Sequence, residues 1–461
     1  MYLTNVEGKL ILPDQTPPSN LQYPPDYYSS SKALLETALE KIPMYRSWKA
    51  CDPGPQASVD DRYARMPALT KLDINTNFPG GVLPPEVDLP AALEKGEVQF
   101  IQTSGTTGDK ITNIWNQSWW DASEKSSWEL NTHLARIATG DHREAILVNP
   151  RNVGIVSDEV PLPMEDRRLA RFLYLNEKTD PTVWPAEHMG RMIQEIGTFQ
   201  PALLEANPSY LARLCRYASA SGKTVFQPGA IVFTYEYPTR MAVAQIRQVF
   251  PEVPFASSYG TTETGYVFLQ CEAGRFHQNS DFCRVDFEPL KAMHGGPALG
   301  RILVTPLHNP WSYLIHFETG DIVKLETGGR CPCGRESGLV LEAIAGRRAN
   351  LTLACEGRLV TLLELDTCLS NLPEVSIYQL VQLNQRSYEL HLVSHVADRE
   401  KHKHTAVSLL KSLYGREAGI EVIYDADIAP ESTGKYLVSK CLFPIDLDAC
   451  LDRQNVKGGC N

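Results

Sequence analysis

No apolar run in this chain approaches the roughly 18 residues a membrane-spanning helix needs. The start, Met1 to Asp14, also lacks the basic-then-apolar pattern of a secretory signal, so a cytoplasmic protein without a membrane partner is the expectation. A basic stripe is missing as well. The formal charge is −11, and the one local basic cluster, Lys401, His402, Lys403 and His404, reads as the solvated start of a helix. That balance argues against a nucleic-acid-binding surface. Nor is there a disulfide framework: eleven cysteines, an odd number, lie scattered with no secretory context, which points to free thiols or a metal site. A Walker-type phosphate loop is absent too. The hydroxyl-rich stretch Thr103-Ser104-Gly105-Thr106-Thr107-Gly108-Asp109-Lys110 places Asp109 before its lysine, where that motif needs Gly-Lys-Ser/Thr, and this disfavours a kinase or P-loop ATPase. No internal repeat is visible.

What is present is enough apolar material, 43% of 461 residues, for two or more domains. Residues 1 to 30, rich in Pro, Tyr and Asn, suggest an irregular arm, and Ser31 to Ile42 reads as a helix with Ser31 at its N-cap. Val98 to Gln102 reads as a strand delivering the Thr103 to Lys110 loop. Trp115, Trp119, Trp120 and Trp128 crowd the next segment, helical from Ser118 to about Thr139, and core packing accounts best for most of them. Ala145 to Val148 is a buried-strand pattern, and the following Asn149 to Gly154 loop is a candidate to face substrate. Pro201 to Leu211 is a strand followed by a Pro-started helix. Strands and helices alternate over residues 98 to 270, which predicts a mostly parallel sheet with helices on its faces. From Gly300 shorter strands take over, at Arg301 to Thr305 and Tyr313 to Phe317. Val375 to Leu383, Tyr388 to Val393 and a helix from about Arg399 to Tyr414 make a compact α+β unit.

Two loops carry the chemistry. Ser257-Ser258-Tyr259-Gly260-Thr261-Thr262-Glu263 joins an aromatic, a glycine turn, hydroxyls and a carboxylate between two strand-like runs, where α/β proteins place ligands. Together with Thr103 to Lys110 it offers backbone N–H groups, small side chains and hydroxyl donors for a triphosphate. Glu263 is a hard oxygen ligand suited to magnesium. A second constellation lies in Cys271, His277, Cys331 and Cys333: three thiolates and an imidazole suit tetrahedral zinc, and four protein ligands leave no open position, so the zinc would be structural. Cys283 competes as a ligand but reads better as a strand residue.

These stretches resemble the motifs of the adenylate-forming superfamily of acyl-CoA synthetases, peptide-synthetase adenylation domains and luciferases, and most of all its phenylacetate-CoA ligase branch. Thr103 to Lys110 is similar to that family's phosphate loop, and Tyr259 to Glu263 to its adenine and magnesium motif. Thr319-Gly320-Asp321 is similar to its ribose motif, Gly346-Arg347 to its hinge, and Pro430 to Lys435 to its C-terminal lysine motif. All fall in the family's order over roughly residues 100 to 440. The resemblance implies that Thr103, Ser104, Gly105, Thr106, Thr107, Gly108 and Lys110 hold phosphate. Tyr259 would stack on adenine and Thr262 contact the α-phosphate, with Gly260 and Thr261 also at the nucleotide; Asp321 would meet the ribose hydroxyls, Arg347 ribose or phosphate, and Lys435 would be the mobile catalytic cation with Glu263 and Thr262. The branch often has a similar Cys/His pair before Cys-x-Cys-Gly-Arg. Two departures stand out: no proline precedes Lys110, and Ala349 and Asn350 occupy places where the hinge normally carries an acid.

The implied architecture is α/β. A large N-terminal ATP- and acid-binding domain covers residues 1-345, with mostly parallel sheets, helices and a β-rich zinc-bearing part at about 265-345. A small mobile α+β lid covers 346-446, and 447-461 forms a tail. The implied reaction is ATP-dependent adenylation of an aromatic or other small carboxylic acid, then transfer to the thiol of CoA or of a carrier protein's phosphopantetheine. Tyr235, Glu236, Ser257 and Ser258 are the expected acid-pocket residues. The alternatives are an amide-forming adenylating synthetase and a zinc-stabilised, non-catalytic nucleotide-binding protein. A homodimer is allowed by everything above.

Overall fold

Buried β-branched and leucine-rich runs place five strands side by side at the centre of the molecule. In the computed structural model, which describes residues 21–103 and 110–452, they lie parallel in the spatial order Phe172–Tyr174, Glu144–Leu147, Leu203–Ala206, Ala230–Phe233 and Phe255–Thr261. Glu144–Leu147 and Ala230–Phe233 are buried along their whole length, as strands covered on both faces must be. Helices Ala186–Phe199, Pro208–Ala220 and Arg240–Val249 close one face around Ile196, Leu211, Ile231 and Ile246. The other face is closed by Gln117–Trp128 and Thr132–Ala138, with Trp128 and Leu134 against Val232 and Ala256. Asn116, Asn207 and Thr239 cap the starts of their helices with side-chain oxygens that accept from free backbone N–H groups.

Beyond Phe255–Thr261 the same sheet continues antiparallel, through Gly265–Gln270, Phe276–Gln278, Val340–Arg347, Phe317–Leu325, Leu299–Pro306 and Cys283–Pro289, and at its other edge Arg168–Leu169 pairs antiparallel with Phe172–Tyr174, giving twelve strands in all. The expected Val98–Gln102 strand forms as Gln99–Gln102, but it pairs only with Thr112–Trp115. It is a separate hairpin, not a member of the large sheet. The expected strand at Tyr313 to Phe317 begins only at Phe317, because His316 before it sits at φ +53°.

A second, four-stranded sheet takes the order Gly419–Tyr424, Ser387–Ser394, Val375–Asn384, Ser439–Cys441. Helices Leu362–Leu369 and Arg399–Tyr414 cover it around Leu365, Leu380, Leu390 and Leu410. Two smaller expectations need correction. The first helix runs Tyr27–Lys41, and Ser31 is buried inside it, its hydroxyl donating to the Tyr27 carbonyl, so it caps nothing. Residues 447 to 452 are not a loose tail: Leu447 and Leu451 pack against Leu290 and Leu299, since two leucines so placed are more stable buried than exposed. The remainder of that segment lies outside the described residues.

Candidate functional site

A cavity of about 630 Å³ opens at the carboxyl ends of the parallel strands, where the sheet changes from parallel to antiparallel. Strand Ala230–Phe233 runs into Thr234–Pro238 on its wall. Strand Phe255–Thr261 brings Ser257, Ser258 and Tyr259 into it and turns at Thr262 and Glu263. The turn is closed by Thr264, whose N–H donates to the Thr261 carbonyl and to its hydroxyl, both at 3.2 Å. Gly260 is required here, because a Cβ would lie 2.3 Å from the Gly265 carbonyl oxygen. Glu263, only 6% exposed, faces the cavity, where its charge acts on Arg347 and Lys435. A buried carboxylate on the wall of an open cavity is a hard oxygen donor of the kind a divalent ion takes.

Asp321 comes from strand Phe317–Leu325, directly opposite Arg347 on its neighbour. The Arg347 Nε donates to Asp321 Oδ1 at 3.0 Å, and the Tyr259 hydroxyl donates to Oδ2 at 2.8 Å. Burial, then the Asp321 charge, keep the Tyr259 phenol protonated. The sequence-derived set Tyr259, Gly260, Thr261, Thr262, Glu263, Asp321, Arg347 and Lys435 therefore lines one cavity, together with Tyr235, Glu236, Ser257 and Ser258. Thr103 reaches the same wall from the hairpin. Ser104, Gly105, Thr106, Thr107 and Gly108 lie outside the described residues. Lys110 is exposed and off the cavity wall, and its carbonyl accepts from Asn75 Nδ2 at 2.9 Å.

Lys435 reaches the cavity from the loop preceding Ser439–Cys441, the edge strand of the small sheet. Burial first, then the neighbouring Arg347, hold its ammonium down to a pKa of about 8, against the opposing pull of Glu236, Asp321 and Glu263. Four contacts with the loops and helix flanking the large sheet position its loop. Glu236 Oε2 accepts from the Tyr436 N–H at 3.0 Å, while Oε1 takes the Ser209 N–H at 3.3 Å and also the Ser209 hydroxyl. Tyr210 donates to the Gly434 carbonyl at 3.1 Å, Arg151 to that of Ser432 at 3.0 Å, and Arg213 to both oxygens of Asp427 at 2.7 and 2.6 Å. Gly434 admits no side chain, since a Cβ would sit 1.9 Å from Asn149 Nδ2.

The Asn149 to Gly154 loop thus meets the lysine loop and not the cavity. Glu236, expected as an acid-pocket residue, is a cavity residue whose oxygens already serve as a clamp. Sequence reading missed Tyr210, Arg213 and Asp427, whose partners lie more than 200 residues away. It also missed Glu205, on strand Leu203–Ala206, which lines the cavity beside Thr234. Of the four tryptophans, Trp119 and Trp128 are core, and Trp120 lines the cavity with Trp115 packed behind it at 4.3 Å.

The metal-type cluster is assembled as the sequence suggests: the ligand atoms of Cys271, His277, Cys331 and Cys333 all lie within 4.8 Å of one another. Cys271 follows strand Gly265–Gln270, His277 sits in Phe276–Gln278, and the Gly334 N–H bonding to the Cys331 carbonyl at 3.0 Å folds the two remaining thiols into a knuckle. Burial pushes His277 down to about 4, so its ring is neutral and its Nε2, 3.3 Å from Cys333 Sγ, is available to a metal. Two buried thiols, a half-buried third and a neutral imidazole fit zinc in chemistry and number. Cys283 is not a member: its Sγ is directed to the Asn279 carbonyl at 3.3 Å.

No family model matches the sequence, and no curated protein does. Solved structures do match. One is 2-hydroxyisobutyryl-CoA ligase in its postadenylation state with 2-HIB-AMP: the TM-score is 0.65 at 17% identity, over 92% of this chain and 93% of that one. The same enzyme in the thioesterification state, with 2-HIB-AMP and CoA, gives a TM-score of 0.53 at 17% identity, over 94% and 96%. Its open form gives 0.55 at 16%, over 91% and 95%. The chain shares the fold of these CoA-ligase structures.

Proposed function

We infer that this protein activates a small carboxylic acid with ATP and passes the acyl group to a thiol. In the first half-reaction a carboxylate oxygen attacks the α-phosphorus of ATP and pyrophosphate leaves. In the second a thiol sulfur attacks the acyl carbon, AMP leaves, and the thiol proton passes to solvent. The observation that carries the reading is the meeting of Lys435, from one sheet, with Glu263, Thr262, Asp321 and Arg347, from the other, in a single cavity.

Each residue then has a task set by its chemistry. Asp321, held by Tyr259 and Arg347, presents carboxylate lone pairs to ribose hydroxyls. Thr262 donates to phosphate. Glu263 is the residue to hold magnesium, which when bound neutralises charge on the triphosphate. Lys435 donates to oxygen on which negative charge grows as the α-phosphorus is attacked, in a site where burial strengthens that interaction. Residues 346-446 act as the lid that brings Lys435 in and takes it away. The higher similarity to the postadenylation state than to the thioesterification state supports assigning this arrangement to the first half-reaction. CoA or a carrier protein's phosphopantetheine is the acceptor, and zinc at Cys271, His277, Cys331 and Cys333 is structural. Acid-dependent exchange of labelled pyrophosphate into ATP across a panel of aryl, alkyl and amino acids tests the reading, and exchange with none of them refutes it.

A further inference from the structure

The wall of this cavity carries a carboxylate with no ion-pair partner among the described residues. Glu205, on strand Leu203–Ala206, accepts from the Thr234 hydroxyl at 3.1 Å, and the Tyr235 hydroxyl also bonds it. Among the described residues no Lys, Arg or His lies within ion-pair distance of it. Burial, with Glu144 nearby, pushes its carboxyl up to about 7, and Glu124 behind it is pushed up to about 8 by burial and by Glu205 itself. An acidic side chain kept in such surroundings is costly to the fold, which singles it out as a group that meets a ligand.

What surrounds Glu205 describes that ligand. Trp120 and Tyr266, ring centroids 4.9 Å apart, line the same cavity, and the Tyr266 hydroxyl donates to Glu124 Oε1 at 2.6 Å. Aromatic faces beside an unneutralised carboxylate favour an organic cation. Sheet register fixes the direction: Glu205 pairs with Val232, which pairs with Ala256. Glu205 is therefore two strand spacings, about 10 Å, from the strand that runs into the Tyr259 to Glu263 turn. The acid's carboxyl has to reach that turn, so a nitrogen on its α-carbon would be too close to the carboxyl to meet Glu205.

Building on the adenylation reading, we propose that the acid taken by this site carries a protonated amine remote from its carboxyl, and that Glu205 binds it and sets specificity. Pyrophosphate exchange with matched pairs tests this: ω-amino and (aminomethyl)aryl acids, each beside the isostere with methyl in place of ammonium, such as 6-aminohexanoate with heptanoate and 4-(aminomethyl)benzoate with 4-ethylbenzoate. The best amine-bearing acid should exceed its isostere by about 100-fold in kcat/KM, as sites built to bind a polar group reject analogues lacking it. Glu205→Gln should reverse the ranking within that pair. Should the glutamine variant fail to fold, Glu205→Asp and the wild-type ranking alone decide. Equal or better exchange with the neutral member, or exchange with other acids but with no amine-bearing one, overturns the proposal and leaves adenylation standing. Exchange with no acid of any class removes the adenylation reading, and this proposal with it.

Discussion

Lys435 carries its charge where burial and the Arg347 guanidinium both oppose it, and its pKa falls to about 8. The sign of the consequence follows from which form works. Stabilising developing negative charge needs the ammonium, present below about pH 8 in the free protein, so kcat/KM for pyrophosphate exchange should decline as pH rises through that value. Lys435→Arg, whose guanidinium stays charged, should remove that alkaline limb whatever its effect on the maximum rate. A pH–rate profile of both proteins checks this. Gly260 makes a second prediction at this scale. Its missing Cβ leaves room for the Gly265 carbonyl, so Gly260→Ala should displace the turn and cost about 1–3 kcal/mol, read from the urea midpoint.

Among elements, the knuckle around Cys331 ties the loop before Val340–Arg347 to strands Gly265–Gln270 and Phe276–Gln278, all in the sheet that carries the site. With zinc bound there, metal analysis of purified protein should give one equivalent per chain. Cys331→Ser should lower the melting temperature by roughly 5 °C or more and release the metal. Elements were also where the sequence was most legible. The strands Val375–Asn384 and Ser387–Ser394 and the helix Arg399–Tyr414 emerge almost at the expected bounds, because period-2 and helical apolar spacing extend over each whole element. Ser31 misled because a capping residue type inside a helix can satisfy its hydroxyl on the carbonyl one turn back. The cavity residues Tyr259 to Glu263, Asp321, Arg347 and Lys435 were legible as local motifs. Glu205, Tyr210 and Arg213 were not, since each takes its meaning from a partner or cavity that only the fold supplies.

At the scale of the whole molecule, the cavity is complete only while the lysine loop rests on the large sheet, through Glu236, Tyr210, Arg151 and the Arg213–Asp427 pair. Those contacts are joined by Tyr436, which packs edge-on to Tyr210, and the polar ones among them suit the proposed separation between half-reactions. Arg213→Ala, distant from the reacting atoms, should lower pyrophosphate exchange about 3- to 10-fold while leaving thiol consumption of a pre-made acyl-adenylate equal or faster. The central claim is that one lysine on a movable sheet serves acid activation and not thiol transfer. It is tested most directly by Lys435→Ala, measured both for acid-dependent pyrophosphate exchange and for consumption of pre-made acyl-adenylate by thiol. A loss of at least about 100-fold in the first with the second retained is the expected result; exchange that survives the substitution would contradict the account.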